Sequence, residues 1–398
     1  MGVVVVSPNL SPNMGSNRGQ ASLSACLRAA GHETRLLNLN ENLPPVPTPE
    51  DVLAELCAWR PGMVAFSCLT QQSPGALELG RPLRSRIPAG ELPPLVVGGV
   101  HPTMVPGEVM ADGVWDHVGV GECEDALLEL VRRLEGGERP DDVPNFLSWK
   151  GGVRPAAADR APVDARHWVH NPVGEFPDLE RLPIPDYELF DTQRITDKKN
   201  GWFGLLSSRG CPYRCTYCLN HKIVDRYRAE LGRSTTGIGF FRFRPAAKLI
   251  EEIRFVLGRY TGIGTLIFDD DLFTQDVDHA LSICAAYREA GIGVPFVVNS
   301  HVKVLDPRVA QALAGAGCRI LKLGIESGSP RVRSEVLQRF MTNSDVLDTV
   351  AAAEASGLHT SGFVMVGLPY ETRVERWETV ELLAESGIGR FRTSLFYP

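Results

Sequence analysis

The stretch Arg209-Gly-Cys-Pro-Tyr-Arg-Cys-Thr-Tyr-Cys-Leu-Asn220 sets Cys211, Cys215 and Cys218 at C-x3-C-x2-C spacing on one short loop. Thiolate is a soft ligand that suits zinc and iron–sulfur clusters, so the residue type narrows the metal without choosing it. A structural zinc site is closed by four ligands, and His221, three residues past Cys218, offers a fourth. Three cysteines on a four-iron cluster instead leave one iron open to a substrate, which makes the centre a chemical one. The preceding run Trp202-Phe-Gly-Leu-Leu-Ser-Ser208 reads as a buried strand that delivers the loop. That context, with the long α/β pattern that follows, favours the cluster.

Downstream, Gly291, Gly317, Gly357 and Gly387 each separate a helical run from an apolar strand, as helix stops do. Strands are predicted over 203–207, 265–268, 294–298, 320–325, 362–366 and 391–396. Six strands alternating with helices predict a partial (β/α)6 barrel, in which function collects at the carboxyl ends of the strands. Those ends carry Asp269-Asp-Asp-Leu-Phe-Thr274, Asn299-Ser-His301, Gly324-Ile-Glu-Ser-Gly328 and Gly362-Phe-Val-Met-Val-Gly-Leu-Pro-Tyr-Glu371. Carboxylates at such a place also cap the following helix, and that structural role stays open for the three aspartates.

Upstream, residues 1–135 alternate strands (3–6, 34–37, 63–67, 95–97, 117–120) with helical runs (23–30, 124–134). The pattern predicts a doubly wound, Rossmann-like parallel sheet, which binds ligands outside the carboxyl ends of its strands. Ser7-Pro-Asn9, Ser67-Cys-Leu-Thr70, Gly98-Gly-Val-His-Pro-Thr103 and Gly119-Val-Gly-Glu-Cys-Glu124 stand there. No Gly-x-Gly-x-x-Gly follows the first strand, so a dinucleotide has little support. Paired glycines such as Gly98-Gly99 let a backbone approach a large flat ligand or turn sharply, and both readings stand. Residues 136–200 gain Pro, Gly and Asp and read as a connector, with a hairpin expected over 145–154 about Gly151-Gly152. The barrel then occupies 201–398.

The cysteine loop resembles the signature of the radical S-adenosylmethionine enzymes, including the aromatic Tyr217 before the third cysteine. Leu95-Val-Val-Gly-Gly-Val-His-Pro-Thr103 with Asp116-His-Val-Gly-Val-Gly-Glu-Cys-Glu124 resembles the cobalamin-binding domain that precedes the radical core in a large subclass. The resemblance implies a 4Fe-4S cluster on Cys211, Cys215 and Cys218, and S-adenosylmethionine beside Tyr217. It further implies Asp270 at the amino group of the methionine moiety, Glu326 and Ser327 at ribose or amino acid, and Gly367 and Glu371 near adenine. On the corrin side it implies Gly98, Gly99, Gly121 and Glu122, with Ser67 and Thr70. No Asp-x-His-x-x-Gly stretch is present, so cobalt is expected without a protein histidine, and His101 and His117 read as structural. Two positions depart from the subclass, Tyr370 where glycine is usual and Arg339 where lysine is usual.

The activity implied is radical cleavage of S-adenosylmethionine to a 5'-deoxyadenosyl radical, serving methylation of an unactivated carbon or phosphorus centre in a small molecule. A non-methylating rearrangement, cyclisation or ring contraction uses the same motifs. A methylthiotransferase would need a second cluster, for which Cys26, Cys57 and Cys68 are poor candidates, and a corrinoid sensor would not need the cysteine triplet. A low-potential donor such as flavodoxin or ferredoxin is implied. Composition adds limits: 398 residues, 43% hydrophobic and 22% charged, describe an ordinary globular chain with room for two domains. A net charge of −7 and a pI near 5.8 give no bulk attraction to nucleic acid or anionic membrane. No run approaches the ~18 apolar residues of a membrane span, and the cysteines scatter through apolar segments, so a reducing, cytoplasmic setting is expected. The chain stops at Leu395-Phe-Tyr-Pro398, where members of the subclass usually continue with a region that closes over substrate. A fragment, or a different way of binding substrate, is the expectation.

Overall fold

Val3 to Val6 have no polar side chain to offer water, and they form the buried strand β1 (Gly2–Ser7) on which the first sheet is built. The structure, a computed structural model, describes residues 1–9, 15, 17–88, 90–159 and 162–396. Contacts divide the chain into two units, Met1–Ile195 with Ile223–Ile238, and Thr196–Lys222 with Gly239–Pro398. Of residues 136–200, read from sequence as connector, 136–195 pack with the first unit and 196–200 with the second.

In that unit β2 (Glu33–Asn38), β3 (Met63–Ser67), β4 (Leu95–Gly98) and β5 (His117–Gly119) join β1 in a parallel sheet ordered β2-β1-β3-β4-β5. The order reverses between β1 and β3, where open α/β sheets take their ligands. Leu27, Leu127, Leu130 and Val131 of two helices, Arg18–Ala29 and Glu124–Gly136, share one apolar cluster with Val3, Met63 and Val96 of the sheet. β6 (Phe146–Trp149) and β7 (Trp168–His170) extend the sheet antiparallel. The expected hairpin over 145–154 does not form. Gly151 and Gly152, at φ 75° and 74°, turn the chain out of line, and Pro155 has no N–H for a returning strand. The partner of β6 comes from farther on, with the Trp168 ring edge-on to Trp149 at 5.9 Å.

The second unit opens with β8 (Trp202–Leu205), then β9 (Ser208–Arg209) and β10 (Arg242–Phe243), which pair with each other antiparallel. β11 (Thr265–Phe268), β12 (Phe296–Ser300), β13 (Cys318–Glu326), β14 (His359–Val366) and β15 (Arg390–Leu395) complete a parallel six-stranded sheet in the order β8-β11-β12-β13-β14-β15. This is the predicted partial barrel, with strand ends shifted by at most three residues and β11 at its expected bounds. Its helices begin and end on local signals. Thr342 and Asp345 close a reciprocal capping box on Asn343–Ala355, and Gly357, at φ 85°, turns the chain beyond it. Among the described residues no helix is long and apolar enough to cross a membrane. Among the described residues no disulfide joins any of the cysteines; Cys26, Cys68, Cys284 and Cys318 are buried, whereas Cys57 is exposed.

Candidate functional site

β13 shows how the second unit makes a site. Leu321, Leu323 and Ile325 are fully buried, and the alternate residues Lys322, Gly324 and Glu326 line a cavity of about 250 Å³. The same cavity is lined by Cys211, Cys215 and Cys218, by Tyr213 and Tyr217 between them, by Asp269, Asp270 and Asp271 after β11, and by Asn299, Ser300 and His301 from β12. The polar strand ends and the cysteine loop therefore converge, as the barrel reading required.

Burial pushes the Cys211 thiol up to about 12, with Asp271 and the neighbouring thiols adding to the rise, and pushes Cys218 up as well. Ligation by a cation reverses this, because a metal-bound thiol is deprotonated. Among the described residues no three His, Cys, Asp or Glu side chains converge as a single ion requires. A zinc ion holds its sulfurs about 2.3 Å from one point, whereas a four-iron cluster spreads three cysteines over three irons. The three cysteines line one cavity, as the three ligands of one cluster must, and His221 is not among the lining residues.

Asp270 is fully buried and well bonded. Its carboxylate accepts from the Ser207 amide at 3.0 and 3.1 Å, from Ser207 Oγ at 2.8 Å and from Ser208 Oγ. Burial pushes its carboxyl up while these bonds pull it down. The residue thus anchors the segment leading into the cysteine loop, as well as facing the cavity. Asp271, also pushed up by burial, accepts from Asn220 Nδ2 at 3.0 Å. Glu326 takes the left-handed φ of 67° at a slip in register between β13 and β14, and its Oε1 accepts from the Tyr217 hydroxyl at 3.0 Å. Burial pushes its carboxyl up; Arg339 and the Tyr217 bond oppose that.

His301 stacks on Tyr213 with ring centroids 4.4 Å apart and planes 5° from parallel. Its Nδ1 accepts from the Lys303 amide at 3.2 Å, which assigns the proton to Nε2. Burial, with Arg339 and Lys303 acting in the same direction, lowers its pKa to about 3, so the ring is neutral. Other expected residues fall elsewhere. Ser327 is fully buried, its Oγ accepting from the Ser329 amide at 3.2 Å, and it does not line the cavity. Gly367 donates to Glu371 Oε2 at 3.2 Å, and neither lines it. Tyr370 adopts φ 61° and is 87% exposed, which explains why glycine suits that place. Lys322 and the Arg339 contact with Cys215 were missed. The alternation of residues 320–326 carried the signal for Lys322.

In the first unit, Ser67 pairs with Gly98 across β3 and β4, and Thr70 opens the short turn Thr70–Gln72. A side chain on Gly98 would meet open space. Gly99 lies at φ 105°, where a Cβ would sit 2.7 Å from Cys68 O and 2.9 Å from Cys68 N. At Gly121, φ 77°, a Cβ would sit 2.2 Å from Tyr227 Oη. The protein's own atoms take the room at Gly99 and Gly121, and Gly98 keeps its room. The Glu122 amide donates to Tyr227 Oη at 3.3 Å, and that ring stacks on Phe176 at 3.9 Å. His117 is buried with Nδ1 2.8 Å from Ser148 Oγ, a structural histidine.

Residues 205–383 match the model of the radical SAM superfamily, and residues 10–131 match that of the B12 binding domain. The chain is similar to an uncharacterized methyltransferase of Pyrococcus horikoshii, 27% identical over 307 residues, 76% of this chain and 61% of that protein. It is similar to hopanoid C-3 methylase of Methylococcus capsulatus, 26% identical over 328 residues, 81% of this chain and 55% of that one. The solved structure of the radical S-adenosylmethionine methyltransferase TsrM from Kitasatospora setae, with tryptophan and a SAM analog bound, matches with a TM-score of 0.76 at 19% identity, over 99% of this chain and 73% of that chain. At that identity the likeness is one of fold. The chain spans between about half and three fifths of the curated relatives it matches.

Proposed function

Because the chain belongs to the family that joins a cobalamin-binding domain to a radical S-adenosylmethionine domain, we propose that it methylates an unactivated carbon or phosphorus centre of a small molecule. The observation that carries this reading is the gathering of Cys211, Cys215 and Cys218 with Tyr217, Asp270 and Glu326 around one cavity. The radical SAM domain implies a 4Fe-4S cluster and S-adenosylmethionine, and the B12 binding domain implies cobalamin. Together these cofactors supply a primary radical that removes hydrogen and a methyl group that replaces it.

The residues of this chain bind and orient. Cys211, Cys215 and Cys218 ligate the cluster. Asp270 offers a buried carboxylate to an ammonium, a charge-assisted bond strengthened by the low local dielectric, with the more exposed Asp271 beside it. Tyr217 lies beside S-adenosylmethionine, Glu326 and Ser327 serve its ribose hydroxyls or amino acid, and Gly367 and Glu371 lie on the adenine side. In the first unit Gly98 leaves backbone bare for the corrin, Gly99, Gly121 and Glu122 shape the loops around it, and Ser67 and Thr70 border them. A flavodoxin or ferredoxin delivers the electron, and the protein works in the cytoplasm, where its thiols stay reduced.

Anaerobic reconstitution with iron, sulfide and cobalamin tests the reading, using the wild type and a Cys211→Ala/Cys215→Ala/Cys218→Ala variant. About four irons and one corrin per chain, with iron alone lost in the variant, is the expected result. One zinc and no corrin would overturn it.

A further inference from the structure

Of the three cysteines of the loop, Cys215 is the buried one, and a guanidinium lies on its sulfur. Arg339 Nη1 donates to Cys215 Sγ at 3.6 Å, and its Nη2 donates to Gly324 O at 2.6 Å. The side chain is 7% exposed, although its neighbour Phe340 is 70% exposed, so the turn aims the arginine inward. That turn is tied to the cysteine loop independently of the guanidinium. The Thr216 amide donates to Leu337 O at 3.1 Å, and Thr216 Oγ1 donates to Val336 O at 2.6 Å. Upstream, the short π-helix Val332–Val336 presents Arg333 O, which accepts from the Arg339 amide at 2.7 Å. The guanidinium is therefore fixed from the backbone up, in a wall that also holds the neutral His301.

A cluster with three thiolate ligands carries negative charge, and reduction adds one more unit. Its potential depends on net charge, on hydrogen bonds to the sulfurs and on burial. A fixed cation donating to a ligating sulfur at low dielectric favours the reduced, more negative state. We propose that Arg339, through its bond and charge at Cys215 Sγ, raises the reduction potential of the cluster and so eases entry of the electron from the donor. This rests on the cluster reading above and adds to it a tuning role for a residue at a position where the subclass usually carries lysine. Arg339 is a positioning and tuning residue, with no bond made or broken on it. The fork matters as well as the charge: an ammonium is a single point and does not reach both Cys215 Sγ and Gly324 O in the same planar geometry.

The test uses wild type, Arg339→Lys and Arg339→Gln, each reconstituted anaerobically with iron and sulfide and left without S-adenosylmethionine or cobalamin. Each is titrated with dithionite against mediator dyes, and the spin signal of the one-electron-reduced cluster is followed. At a fixed solution potential the Gln variant is expected to show a reduced-to-oxidised ratio about tenfold below wild type, a shift of about 59 mV for one electron. The Lys variant, keeping charge but losing the fork, is expected between the two. Midpoints equal to wild type in iron-replete variants overturn the proposal. If the Gln variant does not load, the Lys variant decides, an unshifted midpoint overturning the proposal and a lowered one supporting it. A wild type that takes up no cluster overturns the function reading itself, and this proposal with it.

Discussion

The Tyr217 hydroxyl donates to Glu326 Oε1 at 3.0 Å, joining the residue before the third cysteine to the end of β13. It is a neutral donor on a carboxylate that burial already pushes upward. Tyr217→Phe is expected to leave that oxygen without this bond and to raise the Glu326 carboxyl further. The loss is about 1–3 kcal/mol while the group is ionised. A carboxyl raised in the folded state gains a proton there before it does in the unfolded chain, so folding is favoured as pH falls through the folded value. The deficit of the variant should therefore shrink from pH about 8 to about 5. Thermal melts of the wild type and variant at both pH values check this, and a deficit independent of pH would oppose it.

Gly121 and Tyr227 should behave as a coupled pair. Gly121→Ala places a methyl 2.2 Å from Tyr227 Oη at a φ of 77°, and a loss of about 1–3 kcal/mol is expected. Tyr227→Phe alone loses the bonds to the Glu122 amide and Asn145 Nδ2, each 3.3 Å long. In the double variant the clash and the lost hydroxyl are the same atom, so the combined loss should fall short of the sum. Melting all four proteins gives the coupling; strict additivity would oppose it.

His117 gives the first unit a dependence on acid. Burial lowers its pKa to about 4 from the ordinary 6.5; Asp116 and Asp141 oppose this and Arg84 reinforces it. The unfolded chain takes the proton first, so stability present above pH 6.5 is lost as pH falls toward 4. The loss approaches about 3 kcal/mol at 1.36 kcal/mol per unit. His117→Gln, which does not titrate, should remove that slope while lowering stability at neutral pH. Urea unfolding of both proteins across this range is the check.

The strands of the second unit's parallel sheet were legible because most are local apolar runs and glycines such as Gly357 mark where helices stop; β15, exposed along its whole length, rests on the glycine signal at Gly387. The cysteine loop was legible because its ligands lie within eight residues. Contacts made across long stretches of chain were not. Arg339 meets Cys215 across 124 positions, and nothing in either neighbourhood announces the other. β6 finds its partner at β7 because two tryptophans pack there, a tertiary choice that overrode the nearer glycine turn. The paired glycines left a ligand's approach and a sharp turn equally open, and at Gly99 the room a side chain would need holds the backbone of Cys68. A glycine signals that something approaches closely, without saying what.

The division of the chain has a consequence for how the protein is made. The first unit runs to Ile195 and then needs Ile223–Ile238, which brings the Tyr227 ring over Gly121. On the ribosome, the cysteine loop at 211–218 is synthesised before that ring. The amino-terminal unit therefore waits, incompletely packed, until the loop that precedes its last segment has been made. A polypeptide cut after residue 195 would lack the ring, and its loop at Gly121 would be left uncovered on that side.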